Sequence, residues 1–165
     1  MAAEIRPATP GDVSALVTLM TMFYAEADYP LPAESAARAF NALLADSRLG
    51  GAWLAEDRGT PLGHVVLTVC FSMEYGGLRG FIDDLYVRPA ARGQGAGAAL
   101  LAAAREAALA RGVRALHVEV GPENPTARRL YARAGYCCTS ATMDAQSTTM
   151  NGASTAMIRR SAPRF

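Results

Sequence analysis

The sequence has no lysine: all 16 of its lysine-or-arginine positions are arginine. A phosphate-binding loop of the Walker A type ends in Gly-Lys-Ser or Gly-Lys-Thr, so that class of nucleotide-binding protein is excluded. The 15 acidic residues bring the formal net charge to +1. Because the arginines are spread along the chain rather than clustered, the charge pattern does not indicate a nucleic-acid partner.

Cysteine and histidine are also scarce, with three and two residues respectively. Cys70, Cys137 and Cys138 match neither a disulfide framework nor the spacing of zinc ligands. Neighbouring side chains of a strand point to opposite faces, so Cys137 and Cys138 are poorly placed to share one ion. We expect buried or half-buried thiols and no bound metal. His117 lies in a strand-like run, from which it either reaches a functional site or has a structural role.

Long apolar runs are missing as well. No stretch of about 18 apolar residues occurs, which argues against a membrane-spanning helix. Glu4 and Arg6 interrupt the region where a signal peptide would carry its apolar segment, so we expect a cytoplasmic protein without membrane association. The length of 165 residues, with 51% hydrophobic and 19% charged positions, predicts one globular domain over residues 1–165.

Hydrophobic periodicity predicts strands and helices in alternation, with no internal repeat. The first helix carries Leu16, Leu19, Met20 and Phe23 at helical spacing, and Pro30 and Pro32 end it. Further helices are expected over residues 34–44, 97–111 and 126–134, and strands over residues 5–8, 52–56, 62–71, 81–87, 115–120, 136–142 and 153–159.

The most informative stretch is Arg92-Gly93-Gln94-Gly95-Ala96-Gly97, which joins a predicted strand to a predicted helix. Glycines at such a junction leave backbone amides uncovered, and the N-terminus of a helix attracts anions. Arg92 adds a guanidinium suited to bidentate contact with phosphate. The stretch therefore predicts a pyrophosphate-binding loop.

A dinucleotide-binding fold is one alternative for this loop. Gly93-x-Gly95-x-x-Ala98, with Glu119 downstream, fits the loose Rossmann pattern. A Rossmann strand runs directly into its first glycine, however, whereas Val87 is followed here by a charged loop that contains Pro89. The glycines also lie far from the N-terminus, so too little chain follows them for a second nucleotide-binding half.

Three blocks together resemble the GNAT acyl-CoA N-acyltransferases. The first is Arg92-x-x-Gly95-x-Gly97, and the second is Asp84-Leu85-Tyr86-Val87-Arg88-Pro89 immediately before it. The third is Asn124-Pro125-Thr126-Ala127-Arg128-Arg129-Leu130-Tyr131-Ala132-Arg133-Ala134-Gly135-Tyr136. The resemblance implies an α/β fold with a mixed, mostly antiparallel sheet of about six to seven strands flanked by about four helices.

The same resemblance implies an N-acetyltransferase that uses acetyl-CoA. It assigns the pyrophosphate to the glycine loop and the pantetheine arm to the strand before it. That strand and its parallel neighbour, residues 81–87 and 115–120, are expected to splay apart and admit the arm. The implied cofactor-binding residues are Leu85, Tyr86, Val87, Arg92, Gly93, Gln94, Gly95, Ala96, Gly97, Ala98, Asn124 and Arg128.

Tyr131 is the candidate general acid, because a phenol with a pKa near ~10 is protonated at neutral pH and donates to a departing thiolate. The alternative is a tyrosine that only packs in the core. Asp83, Asp84 and Glu119 are the acidic residues nearest the expected site, and one of them would accept the proton of the amine. Strict alternation places Asp84 and Tyr86 on the cleft face and Asp83 on the packed face with Leu85 and Val87.

The acceptor is less well defined by the sequence. Tyr24, Glu26, Asp28 and Tyr29 are candidate substrate contacts, or else an ordinary polar connection. The pair Asp83-Asp84 before Leu-Tyr-Val resembles the diamine acetyltransferase branch and favours a small cationic amine, with Asp83 as a further substrate contact. The alternatives are N-terminal acetylation of proteins and a non-catalytic acyl-CoA-binding regulator. A homodimer paired through edge strands at residues 137–142 and 153–159 is also expected.

Overall fold

The structure is a computed structural model that describes residues 3–121, 124–138 and 154–159. The described chain forms four α-helices and seven strands, with single 3₁₀ turns at Pro10–Asp12 and Pro89–Ala91. The helices are α1 (Val13–Glu26), α2 (Ala33–Ala45), α3 (Ala96–Ala110) and α4 (Pro125–Arg133). The strands are β1 (Glu4–Pro7), β2 (Gly50–Asp57), β3 (Thr60–Ser72), β4 (Gly77–Val87), β5 (Ala115–Val120), β6 (Cys137–Cys138) and β7 (Ser154–Arg159).

The strands form one mixed sheet in the order β1-β2-β3-β4-β5-β7-β6. Its body is the run of five strands from β1 to β5, fewer than the six to seven expected, and the short β7 and β6 extend it at one side. Only β4 and β5 run parallel, and every other neighbouring pair is antiparallel. The expectation of a mixed, mostly antiparallel sheet with four helices is therefore confirmed.

One expectation about the sheet edge is wrong. The C-terminal strand was expected at an edge, but β7 lies between β5 and β6, so both of its sides are paired. The residues that follow Cys138 in the other expected edge strand, 139–142, lie outside the described residues. Among the described residues, the edge on this side of the sheet is β6.

Helices cover both faces of the sheet because both faces carry apolar side chains. On one face α3 buries Leu100, Leu101 and Ala104 against the sheet. On the other face α1 and α2 contribute a second core that includes Leu19 and Phe40. The chain therefore builds a three-layer arrangement with the sheet in the middle.

The register between β3 and β4 changes at one residue and positions the site. Leu67 pairs with Ile82 and Val66 pairs with Asp84, so Asp83 is an extra residue in β4 that has no paired residue in β3. Such a β-bulge bends the strand and re-aims its side chains. The parallel pairing of β4 with β5 also stops here, since Ile82 with Val118 is its last pair. Beyond this point β4 is still paired with β3, but its other side has no strand partner among the described residues, which supports the expected splay.

His64 lies at the centre of the α1–α2 face and is fully buried. Its ring centroid is 6.4 Å from those of Phe40 and Tyr86, and neither ring nitrogen has a hydrogen-bond partner among the described residues. Burial lowers the pKa of this imidazole to about 4. The histidine is therefore neutral in the folded protein at neutral pH.

We expect this buried imidazole to make the protein less stable as the pH falls from about 6.5, the pKa of an unfolded histidine, to about 4. In that window the unfolded chain binds the proton and the folded chain does not, so the free energy of unfolding falls with falling pH, by up to about 3 kcal/mol. Urea unfolding of the wild type and His64→Leu at several pH values measures the effect as a difference. A wild-type pH slope that persists in His64→Leu would assign the effect to another group.

Candidate active site

Beside the bulge in β4, a cavity of about 380 Å³ lies between α1, α2 and the sheet. Asp83 and Asp84 stand on its wall. The rest of the lining is mainly apolar and comes from three other parts of the chain: Met20 of α1, Ala39, Phe40, Ala42 and Leu43 of α2 with Leu49 after it, and Val66, Thr68 and Val69 of β3. The cavity therefore joins an apolar chamber to a pair of carboxylates.

Asp84 is the more deeply placed of the two carboxylates, with 7% of its surface exposed. Burial raises the pKa of Asp84 to about 6, and the negative charge of Asp83 contributes to this increase. A hydrogen bond from the Tyr24 hydroxyl acts in the opposite direction and lowers the pKa. A carboxylate with this pKa is mostly ionised at neutral pH and is a better proton acceptor than an exposed aspartate. Tyr24, half-buried at the end of α1, has its own pKa raised to about 12 by burial and by the two aspartates.

The prediction from strict alternation is half right. Tyr86 packs on the α1 side of the sheet with Asp84, while Leu85 and Val87 pack on the α3 side. Asp83 does not join Leu85 and Val87 as expected, because the bulge removes it from the alternating pattern. It is exposed and shares the cavity wall with Asp84, and its pKa is raised by partial burial and by the charge of Glu119 on β5.

Tyr131 lies on α4 and is buried, with 5% of its surface exposed. Its ring packs in the α3-side core at 5.8 Å from the ring of Tyr136. Burial raises the pKa of the phenol, and the charges of Tyr136 and Asp84 raise it further, so the hydroxyl stays protonated. Its ring is a core side chain, as the packing interpretation expects. Its hydroxyl is within electrostatic reach of Asp84, as the general-acid interpretation requires.

The glycine loop connects β4 to α3 with backbone conformations that favour glycine. Gly93 and Gly95 have φ angles of 77° and 90°, and Gly95 is the N-cap residue of α3. A Cβ placed on either residue would meet no atom within 4 Å, so the space above the loop is open. A Cβ placed on Gly97, by contrast, would lie 3.4 Å from the side chain of Leu130 and 3.7 Å from that of Val87. The free N–H groups of the first helical turn face this loop.

The structure gives Arg92 and Glu26 a different arrangement from the one expected. The guanidinium of Arg92 donates to both carboxylate oxygens of Glu26, at 2.8 and 2.7 Å, and to the carbonyl of Val87 at 2.8 Å. Glu26 also accepts from the Tyr86 hydroxyl at 3.0 Å. Arg92 is thus tied to α1 rather than free at the mouth of the loop, and Glu26 is bound at the loop rather than on the cavity wall.

The remaining predicted residues lie around this centre. The Asn124 side chain accepts from the N–H of Ala127 at 3.0 Å and caps α4, and Arg128 is exposed on the same helix. Tyr29 is 62% exposed with its ring 5.7 Å from that of Tyr24. Gln94 donates to the carbonyl of Ala90, while Asp28 occupies a turn with a φ of 52°.

Two of the residues considered from the sequence, His117 and Cys70, do not line the cavity. His117 is buried with its ring 5.1 Å from that of Phe81, in the manner of a structural residue. Cys70 is exposed, so the expectation of a buried or half-buried thiol is wrong at this position, and its sulfur accepts a hydrogen bond from Arg79 at 3.3 Å. The described residues contain no group of three or more histidine, cysteine, aspartate or glutamate side chains that could hold a metal ion. No helix in the same part of the chain is long and apolar enough to cross a membrane.

The apolar wall of the cavity was missed by the sequence reasoning. The helical spacing of Phe40 and Leu43 indicates an inward-facing side of α2, but helical periodicity does not distinguish a side chain that fills a core from one that lines a cavity. Met20, at helical spacing in the first helix, gives the same signal. Only the distance between α2 and the sheet separates the two outcomes, and the sequence of either element alone does not contain it.

The chain matches the model of the acetyltransferase (GNAT) family over residues 16–136. It is 32% identical, over 136 residues, to the uncharacterized N-acetyltransferase YhfO of Bacillus subtilis (strain 168), with 81% of this chain and 89% of that protein covered. The crystal structure of an integron cassette protein from the mobile metagenome of Cole Harbour Salt Marsh superposes with a TM-score of 0.76 at 45% identity, over 88% of this chain and 91% of that one.

A predicted acetyltransferase from Clostridium acetobutylicum, crystallised with acetyl-CoA, has the same fold, with a TM-score of 0.73 at 20% identity over 87% of this chain and 95% of that one. The chain therefore belongs to the acetyltransferase (GNAT) family. It is an acetyl-CoA-dependent N-acetyltransferase.

Proposed function

We propose that this enzyme acetylates the primary amine of a small molecule that is cationic in solution, with Asp84 as the proton acceptor and Tyr131 as the proton donor. The observation that carries the proposal is the buried carboxylate of Asp84, with its pKa raised to about 6, on the wall of a cavity beside the open edge of β4. The resemblance to the diamine acetyltransferase branch supports a cationic acceptor.

The residues present fit CoA. Open space over Gly93 and Gly95 allows a phosphate to approach the backbone, and the N–H groups of the loop and of the first turn of α3 would hold the pyrophosphate through residues 93–98. Leu85, Tyr86 and Val87 would bind the pantetheine arm through backbone groups on the side of β4 that β5 does not pair, where the carbonyl of Val87 already accepts a hydrogen bond from Arg92. Because Glu26 already neutralises Arg92, the amides carry more of the pyrophosphate binding than the resemblance alone implies, with Asn124 and Arg128 at the margin.

Acetyl-CoA supplies an acetyl thioester, the carbon of which reacts with a neutral amine. An alkyl amine with a pKa near ~10.4 is protonated at pH 7, so Asp84 takes a proton from its nitrogen, directly or through water. The negative charges of Asp83 and Glu119 attract the protonated, cationic form of the amine to the site. Tyr131 donates its hydroxyl proton to the departing sulfur. The raised pKa of the phenol keeps this proton in place until the donation.

Two alternatives remain: acetylation of protein N-termini, and acyl-CoA binding without turnover. A panel of small amines and short peptides, assayed for release of free thiol from acetyl-CoA, separates all three. Thiol release with small amines supports the proposal. Release with peptides alone would favour N-terminal acetylation, and CoA binding without any release would favour a regulator. A cytoplasmic homodimer remains a prediction beside these.

The amides of the glycine loop provide a test of CoA binding. We expect Gly95→Ala to raise the Kd for CoA about tenfold or more, because the new Cβ occupies the open space through which phosphate approaches. Gly112→Ala is the matched control, since Gly112 follows the other end of α3 with a φ of 73° and equally open surroundings. If calorimetry shows the same CoA affinity for both folded variants, the pyrophosphate binds at a site other than the glycine loop.

A further inference from the structure

We infer that the acceptor is a monoamine with an apolar alkyl or aryl group, rather than a diamine or polyamine. This inference rests on the proposed function and narrows its substrate class. It comes from the cavity, in which the two carboxylates stand at one wall and the opposite side offers almost nothing to a second positive charge.

The lining shows the division clearly. Of the 11 described residues that line the cavity, eight are apolar and one is threonine, which leaves Asp83 and Asp84 as the only charged groups among them. An ammonium group at Asp84 would direct the rest of its molecule toward the apolar side, formed chiefly by Met20, Phe40 and Leu43. A carbon chain or ring gains from leaving water there, by about fourfold in affinity for each buried CH₂.

A second ammonium group would meet the opposite conditions. It would be moved from water to an apolar surface without a carboxylate to pair with it, which is strongly unfavourable. The acidic side chains of and beside α2 do not fill this role, because Glu34 pairs with Arg38 and Asp46 pairs with Arg48, and neither carboxylate lines the cavity. Among the described residues, the lining away from Asp83 and Asp84 therefore offers no partner for a second positive charge.

The volume agrees with a compact substrate. A cavity of about 380 Å³ is at the small end of the range usual for ligand pockets, about 300–1,000 Å³. Such a chamber accommodates a short alkyl chain or a single aromatic ring attached to the amine.

Hexylamine and 1,5-diaminopentane form a matched pair of substrates, because each has seven non-hydrogen atoms and only the last atom differs. We expect kcat/KM to be at least about tenfold higher for hexylamine than for the diamine, and to rise about fourfold per CH₂ from propylamine to pentylamine. Phenethylamine should be accepted as well. Equal or higher kcat/KM for 1,5-diaminopentane, with thiol release intact, overturns the inference and leaves the proposed function standing.

A pair of variants tests whether the cavity wall causes the preference. Ala42→Asp adds a carboxylate to the lining on the exposed side of α2, whereas Asn41→Asp adds the same charge next to it, outside the lining. We expect Ala42→Asp to shift the ratio of kcat/KM about tenfold or more toward 1,5-diaminopentane, and Asn41→Asp to leave the ratio unchanged. A ratio that Ala42→Asp does not change, or that both variants change equally, overturns the inference. Absence of thiol release from every amine overturns the proposed function, and the inference with it.

Discussion

Replacing Tyr131 by phenylalanine is expected to lower kcat by about 10²–10⁴-fold, the usual contribution of a general acid. The ring remains to pack against Tyr136, so the fold and the affinity for acetyl-CoA should change little. The variant loses only the proton that the hydroxyl donates to the sulfur in the proposed reaction. Steady-state kinetics across the pH range, with the Kd for acetyl-CoA measured separately, distinguish a loss in kcat from a loss in binding.

Tyr136→Phe is the control for this variant. Tyr136 belongs to the same aromatic pair and is equally buried, but its hydroxyl has no hydrogen-bond partner among the described residues. Its removal should leave kcat within about threefold of the wild type and should not lower stability, because no satisfied hydrogen bond is lost. A loss below about threefold for Tyr131→Phe, or equal losses for both variants, would make Tyr131 a packing residue.

The second large effect is expected for Asp84→Asn. The amide keeps the shape of the side chain but accepts no proton at neutral pH, so kcat/KM for the best amine should fall by about 10²–10⁴-fold. In the wild type, activity should rise as the pH increases through about 6, since Asp84 must be ionised to act as a base. That acidic limb of the pH–rate profile should be absent from the residual activity of the variant.

Asp83→Asn is the matched comparison on the neighbouring residue. The negative charge of Asp83 helps to raise the pKa of Asp84, so its removal should lower that pKa and move the acidic limb to lower pH. Because Asp83 is exposed, the protein should retain its stability and most of its kcat. Full activity in Asp84→Asn, together with abolished activity in a folded Asp83→Asn, would make Asp83 rather than Asp84 the proton acceptor.

The position of Asp83 shows where prediction from sequence stops. Alternation along a strand is a local rule, and it placed Tyr86, Leu85 and Val87 on the correct faces. A bulge is a property of two strands, because it depends on how the register with β3 is matched on both sides of the extra residue. Nothing local in Ile82-Asp83-Asp84 signals it.

The ion pair between Arg92 and Glu26 has the same origin. The two residues are 66 positions apart, and each was assigned a separate task from its own neighbourhood, phosphate binding for Arg92 and substrate contact for Glu26. They meet because α1 crosses the end of β4, where Tyr86 packs against Phe23. The order of β7 and β6 is likewise a result of long-range pairing, which the alternation of either strand does not encode.

What the sequence by itself determined is local or carried by contiguous motifs. Strand β5 was predicted to the residue, the starts and ends of α2, α3 and α4 lie within one residue of the predicted ones, and the glycine loop stands at the N-terminus of a helix as its composition indicates. The motif blocks also led to the family, since each is a continuous stretch of chain. Short-range sterics and hydrophobic periodicity suffice for these features.

Only the tertiary structure decided which groups share one environment. The cavity takes its wall from α1, α2, β3 and β4, and the pKa of Asp84 depends on burial by those elements and on the charge of a residue displaced by a bulge. Burial and electrostatic coupling act through space over a few ångströms, whatever the separation along the chain. The acidic pair was visible in the sequence, but its surroundings, and with them its chemistry, arise only when the helices close over the sheet.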